Sequence, residues 1–332
     1  MLAFDLARPA TVVSILLASV MVSACGGGPA SAPDSGAGSG GFPQASGATA
    51  QTQAGSAGTA TGGTAAGGTG GDTAAVCPPL REFTLAIHVV VDVSWPDTLG
   101  ANGGSGKMHA WNLARMSVDG TALSGMTQPC GSDLPELTLT PLAGGGKFDI
   151  EVPDAVWDAP SAPQVAGVGT IGGFDVGSTL STDVTSLLVG LTMTDPSGPW
   201  PATHAEITAV DVDGDENPGF TGLPKTGAGY VQPPVTATIG GTGAKADKLY
   251  MVSRTAMGMS GTFASCTEQS GIVTVTFFDN HIVGCHVAGG DECTSEQVDF
   301  LDTSRNRLTA TSGTFTSKLV PDTATCADAR AM

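Results

Sequence analysis

Residues 83–95 constrain the fold of this chain more than any other stretch. The odd positions read Phe83, Leu85, Ile87, Val89, Val91, Val93 and Trp95, and the even ones read Thr84, Ala86, His88, Val90, Asp92 and Ser94. Successive side chains of a strand point to opposite faces, so this alternation lays an unbroken apolar row on one face. Pro96 ends the run, because proline has no N–H to give to a ladder. A strand of about 13 residues is twice the usual length. Such a strand suits a barrel or a strongly twisted sheet.

A second alternating stretch spans 271–287. Val273, Val275 and Phe277 alternate with Thr274, Thr276 and Phe278. Asp279-Asn280 then predicts a tight hairpin turn, since both residue types tolerate left-handed backbone. Ile282, Val283, Cys285 and Val287 would form the return strand. Further strands are predicted over 108–116, 136–142, 148–152, 206–212, 248–254, 258–263 and 307–319. Helical periodicity is confined to 183–191 and 296–303, the latter following Ser295, a capping residue type. Many strands between Gly- and Pro-rich turns read as an all-β domain over 77–332. The first choice is an antiparallel meandering barrel, lipocalin-like, and the second is a β-sandwich. Pro199-Trp200-Pro201 marks either a division between subdomains or a surface loop.

The N-terminus reads as an address. From Ala10 to Ala24 the chain is apolar or small, too short to cross a bilayer core, which takes about 20 residues. A short apolar core ending in small residues is a secretory signal over 1–24. Val22-Ser23-Ala24-Cys25 resembles the lipobox of bacterial lipoproteins. The resemblance implies cleavage before Cys25, diacylation of its thiol and acylation of the new amino group. Several acyl chains make a stable anchor where one is marginal. Gly26, rather than Asp, follows Cys25, which by the same resemblance favours the outer membrane.

Residues 26–76 hold 16 Gly and no Lys or Arg. Such a segment lacks the apolar surface to offset the entropy of ordering. A flexible coil of this length reaches about 40 Å. In composition it resembles the tethers of myxobacterial-type lipoproteins.

The chain carries 13 Lys+Arg against 31 Asp+Glu, a net charge of −18. That excludes nucleic acid, whose binding rests on neutralising phosphates, and a polybasic membrane contact. The membrane partner is therefore reached through the lipid. Beyond Cys25, the six cysteines Cys77, Cys130, Cys266, Cys285, Cys293 and Cys326 read as three disulfides of an exported domain. Cys285 and Cys293 close a short loop and form the best pair. Cys77 with Cys130 and Cys266 with Cys326 then follow by elimination. The alternative for Cys285, His286 and Cys293 is a zinc site.

Asp211, Asp213, Asp215 and Asn217 form the only motif with chemistry in it. In extended geometry the three aspartates project to one side, where they repel unless a cation neutralises them. Oxygen ligands suit Ca²⁺; the alternative is a solvated acidic turn. The segment resembles the DxDxD calcium loops of EF-hands and of thrombospondin- and dockerin-type repeats. It departs from the EF-hand at Glu216, where glycine is needed, and at Gly222, where a bidentate Glu is expected. Other matches are set aside. Gly167, Gly169 and Gly172 match GxGxxG outside any strand-to-helix context. His88 with Asp92, and the stretch Asp149, Glu151, Asp154 and Asp158, read as exposed strand and loop residues.

These features favour a non-enzymatic, lipid-anchored envelope protein presenting a β-barrel, with a small apolar ligand and a structural calcium ion. The second expectation is a calcium-dependent adhesion or assembly module on a sandwich, meeting an envelope protein. The third is a hydrolase using the acidic stretch or His88 and Asp92.

Overall fold

A computed structural model describes residues 76–98, 100–141, 145–231 and 245–332. The stretches expected to be a signal segment and a tether, with Cys25 between them, lie outside the described residues, apart from Val76. In chain order the strands are β1 (Glu82–Trp95), β2 (Gly104–Asp119), β3 (Ala122–Asp133), β4 (Leu137–Thr138), β5 (Lys147–Phe148), β6 (Ile150–Glu151), β7 (Val165–Ile171) and β8 (Thr179–Thr182). There follow β9 (Thr185–Val189), β10 (Leu191–Thr192), β11 (Thr208–Ala209), β12 (Phe220–Pro224), β13 (Ala246–Phe263), β14 (Glu268–Val287) and β15 (Thr309–Val320). The helices are α1 (Asp154–Asp158), α2 (Ser295–Ser304) and α3 (Cys326–Arg330).

Six long strands form one antiparallel wall in the order β3-β2-β1-β15-β14-β13. It consists of two meanders, β1 to β3 and β13 to β15, joined along the β1–β15 pair. The β2–β3 turn has two residues; Gly120, with φ 61°, takes the first place, as a type II′ turn requires. The wall closes on itself twice. Toward the start of β3, residues 122–127 pair with β7, β7 with β8, and β8 with β13 at 260–262. At its far end, Asp133 pairs with β6, β6 with β12, and β12 with β13 at 249–251. Either route rings through eight strands. The fold is the expected all-β antiparallel ring rather than a two-sheet sandwich. It is not a regular barrel: between the closures β9 hangs on β13 at 253–257.

The odd residues of β1 all point inward and are buried. They pack with Met108, Met116, Leu123, Phe263, Val273 and Phe315. Each fully buried aliphatic or aromatic side chain of this kind contributes about 1.5–3 kcal/mol. Gly261 and Gly271 face each other across β13 and β14. A Cβ on either would stand 2.8 Å from the Phe315 ring, so the paired glycines make the slot that the ring fills. The interior is thus largely packed, in contrast to an open lipocalin-like calyx. Thr84 and Ala86 are buried as well, on the outer face of β1. They lie under α3, in a small outer core with Leu113, Cys130, Ala324, Cys326 and Ala329.

Several local expectations are corrected. β14 runs straight through Asp279 and Asn280, which pair with Arg254 and Ser253 of β13. The hairpin is β13 to β14 instead, and its turn is held by the Ser265 hydroxyl accepting from the N–H groups of Thr267 and Glu268. Segments 248–254 and 258–263 are one strand, β13. Segment 183–191 is not helical: β9 pairs along β13 there. Segments 136–142 and 206–212 yield only the short strands β4 and β11. The helix at 295–304 forms, with Thr294 rather than Ser295 as its cap. The Thr294 hydroxyl accepts from Gln297 N–H, and the Gln297 side chain accepts from Thr294 N–H, a reciprocal capping box.

The disulfides are Cys77–Cys266, Cys130–Cys326 and Cys285–Cys293. The short-loop pair is as expected. The two pairs taken by elimination are not formed: β3 delivers Cys130 to α3, and the β13–β14 turn delivers Cys266 to Cys77. The ring brings together residues that sequence distance keeps apart. Three disulfides mark the chain as extracytoplasmic.

Candidate functional site

The acidic loop lies between β11 and β12. Asp211 organises it by accepting from its own turn. Its Oδ1 takes the N–H of Gly214 at 2.7 Å and that of Asp213 at 3.2 Å, and its Oδ2 takes the N–H of Glu216 at 3.0 Å. Asp213 and Asp215 reach forward to β12 instead. Asp213 Oδ2 accepts from Thr221 N–H at 2.8 Å, and Asp215 Oδ2 accepts from the Thr221 hydroxyl at 2.6 Å. Asn217 donates its N–H to Asp215 Oδ1 and its Nδ2 to Asp215 O. Its carbonyl oxygen is the side-chain ligand atom it has left to offer.

One carboxylate oxygen from each of Asp211, Asp213 and Asp215 lies within 4.8 Å of the other two. The Asp213 Oδ1 atom is buried with no hydrogen-bond partner. Burial pushes the Asp213 carboxyl above the ordinary aspartate value, and the Asp215 charge beside it adds to this. Burial opposes the charged form of Asp211 too, but the N–H groups of Gly214 and Glu216 outweigh it and hold that carboxyl low. Asp215 is likewise held low, against burial, by the Thr221 hydroxyl and Asn217. The arrangement is an oxygen-only donor set that can hold a metal ion, and its chemistry suits a hard cation.

The comparison with an EF-hand loop is sharper in space than in sequence. Glu216 occupies the sixth place counted from Asp211, and its φ is 69°. A left-handed backbone costs a non-glycine residue about 1–3 kcal/mol and persists only where the surroundings impose it. The loop therefore makes the EF-hand's bend without its glycine. The twelfth place, Gly222, is in β12, where a Cβ would meet the Ile150 side chain at 2.6 Å. A carboxylate cannot enter there.

Under the second ring closure a cavity of about 150 Å³ opens among β6, β13, β14 and α2. Leu134, Leu137, Phe148, Met251, Leu301 and Leu308 give it an apolar wall. Asp149 and Asn306 line it as well. Asp149 is 6% exposed, and its Oδ2 is 2.6 Å from Lys225 Nζ. Its Oδ1 is buried without a partner, and so is Asn306 Nδ2. Both atoms are closed off from a water-sized molecule, so the surface that the cavity itself presents is mainly its apolar wall. A second cavity, about 80 Å³, lies inside the ring near Gln269, whose Nε2 is also unpartnered.

The other sequence candidates disperse. Asp92 pairs with Lys107 at 2.7 Å and accepts from Ser312, so His88 and Asp92 are not partners in an acid–base pair. His88 meets His109 instead. Asp154 and Asp158 both pair with Arg330. Cys285 and Cys293 are joined, and His286 turns to Asp247 at 2.7 Å, so these residues form no zinc site. The GxGxxG stretch is strand β7 and opens no helix.

Sequence reasoning missed a buried polar hub. His281 is fully buried, with Nδ1 at 2.9 Å from both oxygens of Asp302 and Nε2 at 3.0 Å from Pro201 O. Trp200 stacks on its ring. Arg254 lies over Trp200 and Phe277 and pairs with Asp279 at 2.6 Å. No local pattern announces partners that reach one another from β13, β14, α2 and the 199–201 loop. No family profile matches the chain, and neither a curated protein nor a solved structure matches it.

Proposed function

We propose that the chain is a lipid-anchored, non-enzymatic protein of the bacterial cell envelope, held at the outer membrane through Cys25. Its ring, carried on the 26–76 tether, binds a small, mostly apolar ligand. The observation that carries the binding role is the cavity of about 150 Å³ and its wall of Leu134, Leu137, Phe148, Met251, Leu301 and Leu308. Its volume matches cavities that take a single benzene-sized molecule. The ligand class is therefore a small, mostly apolar ring or chain.

Calcium at Asp211, Asp213 and Asp215 supports this role from the far end of β12. Thr221, which the aspartates hold, and Lys225, which holds Asp149, belong to one short segment. An ion in the loop would fix the start of the strand that leads to Lys225, the partner of the cavity-lining Asp149.

Thermal unfolding with phenol and with toluene, matched in size, tests the binding role. Toluene should raise the midpoint more than phenol, because the wall that meets the ligand is apolar. A larger shift with phenol, or none with either at millimolar probe, would sink the apolar-ligand reading. The mass of the mature N-terminus from a bacterial membrane fraction tests the anchor. An unmodified Cys25, or a Cys25→Ser chain still held in the membrane, would refute it.

A further inference from the structure

We infer that the ring has a second binding site in its interior, between the inner faces of β1 and β13, and that it takes a short, uncharged alkyl chain with a hydroxyl-type head. The site is separate from the cavity near α2 and does not rest on what that cavity binds. The inward residues of the two strands differ in packing. On β1, Leu85, Ile87 and Val89 are 3% exposed or less. On β13, Thr255, Met257 and Met259 face the same interior but are half-buried. The space they leave is the cavity of about 80 Å³.

The strand pairing explains the opening. β3 pairs with β7 as far as Thr127 and with β6 at Asp133. β9 pairs with β13 alone, so no ladder joins β9 to β3. Both strands lend side chains to the cavity, Thr127 and Pro129 from β3 and Thr185 and Leu187 from β9. Thr127, Thr185 and Leu187 are half-buried. The gap between β3 and β9 is the entrance.

The lining selects the ligand. The floor is apolar and buried, with Ile87, Ala114, Met116, Leu123, Leu180 and Phe315. The half-buried side carries Thr127, Thr185 and Thr255, from three different strands. A hydroxyl both donates and accepts, so this side suits an alcohol or another neutral head. Among the described residues, none that lines the cavity is charged. A carboxylate or an ammonium would find no partner there, and an unpaired buried charge is costly. Gln269 Nε2 is closed off from a water-sized molecule and is not offered to the ligand. The volume is half that of an apolar cavity that takes one benzene molecule, which leaves room for about three carbons. Met116, Met257 and Met259 have flexible side chains that can follow the shape of what enters.

The test is a magnetic-resonance titration of the full-length chain, its methionine methyl groups labelled with ¹³C, with n-butanol, butyrate and butylammonium. Met116, Met257 and Met259 report on this cavity, and Met251 reports on the one near α2; replacing each by Leu assigns its signal. n-Butanol should move the first three signals together and saturably, with a midpoint on the order of 10 mM. Butyrate and butylammonium should bind at least about tenfold more weakly, because their charge stays unpaired. From ethanol to n-propanol the affinity should rise about fourfold, the worth of one buried CH₂ group. Ala114→Leu fills the floor and should abolish the response of Met257 and Met259. Should that variant fail to fold, Leu187→Trp, which narrows the entrance, is read in the same way. The inference is overturned if none of the three signals saturates, if a charged analogue moves them as well as n-butanol does, if Met251 alone responds, or if a folded variant binds unchanged. None of these outcomes bears on toluene binding near α2, and a failure of toluene there leaves these three signals as they are.

Discussion

Asp302 and Asp213 are both aspartates with buried oxygens, and the fold treats them in opposite ways. Asp302, on α2, is 4% exposed and fully engaged. His281 meets both its oxygens, Ile282 N–H donates to Oδ1, and Arg305 pairs with that oxygen at 2.9 Å. Asp213 sits between two further carboxylates. Among the described residues no Lys, Arg or His forms an ion pair with the acidic loop, and Asp213 Oδ1 has no partner at all. The difference lies in what each carboxylate can reach. Around Asp302 the ring and its helix supply the balancing groups from the chain itself. Around Asp213 the neighbouring residues supply only backbone N–H groups and one hydroxyl, which leaves a carboxylate triad that could hold a metal ion.

The largest effect that sharpens this contrast is the loss of Asp302. Asp302→Ala leaves His281 and Arg305 without their shared acceptor, and breaking a buried pair from one side costs about 3–5 kcal/mol. Denaturant unfolding should show that loss; a cost under about 1 kcal/mol would mean the hub is no better balanced than the loop. The acidic loop should behave conversely. With chelator present, Asp213→Asn relieves repulsion, so the variant should equal or exceed the unaltered chain in stability. With calcium at 100 times its dissociation constant, the unaltered chain should gain about 2.7 kcal/mol, and the variant should not. A midpoint indifferent to calcium would make the loop a solvated turn and end the comparison.

How much of this was legible depended on sequence distance. The acidic cluster was, because its three carboxylates belong to one short turn whose geometry is local. β1 was, because burial on one face writes itself as alternation. The hub was not, because His281 and Asp302 meet only after α2 folds back on β14. Asp279 shows the same override. Its type favours a turn, but its carboxylate reaches Arg254 across the ladder, and the strand continues. The 183–191 segment fails as a helix for a related reason: Thr185–Val189 finds the free edge of β13. The cysteine pairs divide likewise, the local Cys285–Cys293 being readable and the two that staple the ring being set by topology.

That local disulfide offers a smaller way to probe the hub. It ties the end of β14 to the segment leading into α2, and so holds the strand bearing His281 near the helix bearing Asp302. Chain-entropy arguments give a loop this short about 2–3 kcal/mol. Cys285→Ala with Cys293→Ala should therefore cost about that much alone. It should cost clearly less in the Asp302→Ala background, where the docking it assists is already lost. Additive losses in the double-mutant cycle would show that the disulfide and the hub stabilise the chain separately.

The smallest effect is in acid, and its direction follows from Asp302 itself. Burial alone would raise that carboxyl, but the hydrogen bonds from His281 and Ile282 and the charge of Arg305 outweigh it and hold it below the ordinary aspartate value. A depressed carboxyl binds protons more weakly folded than unfolded. Its stabilising contribution is thus complete above the unfolded value, about 3.9, and declines as pH falls through the lower folded one. Asp213 is shifted the other way, so without calcium it opposes this trend, and Asp213→Asn should steepen the loss of stability on acidification. Asp302→Asn should flatten it. Unfolding midpoints from pH 6 to pH 3, as an order-of-magnitude window around the carboxylate range, would separate the two. Matching slopes in both variants would show that the two aspartates are equivalent after all.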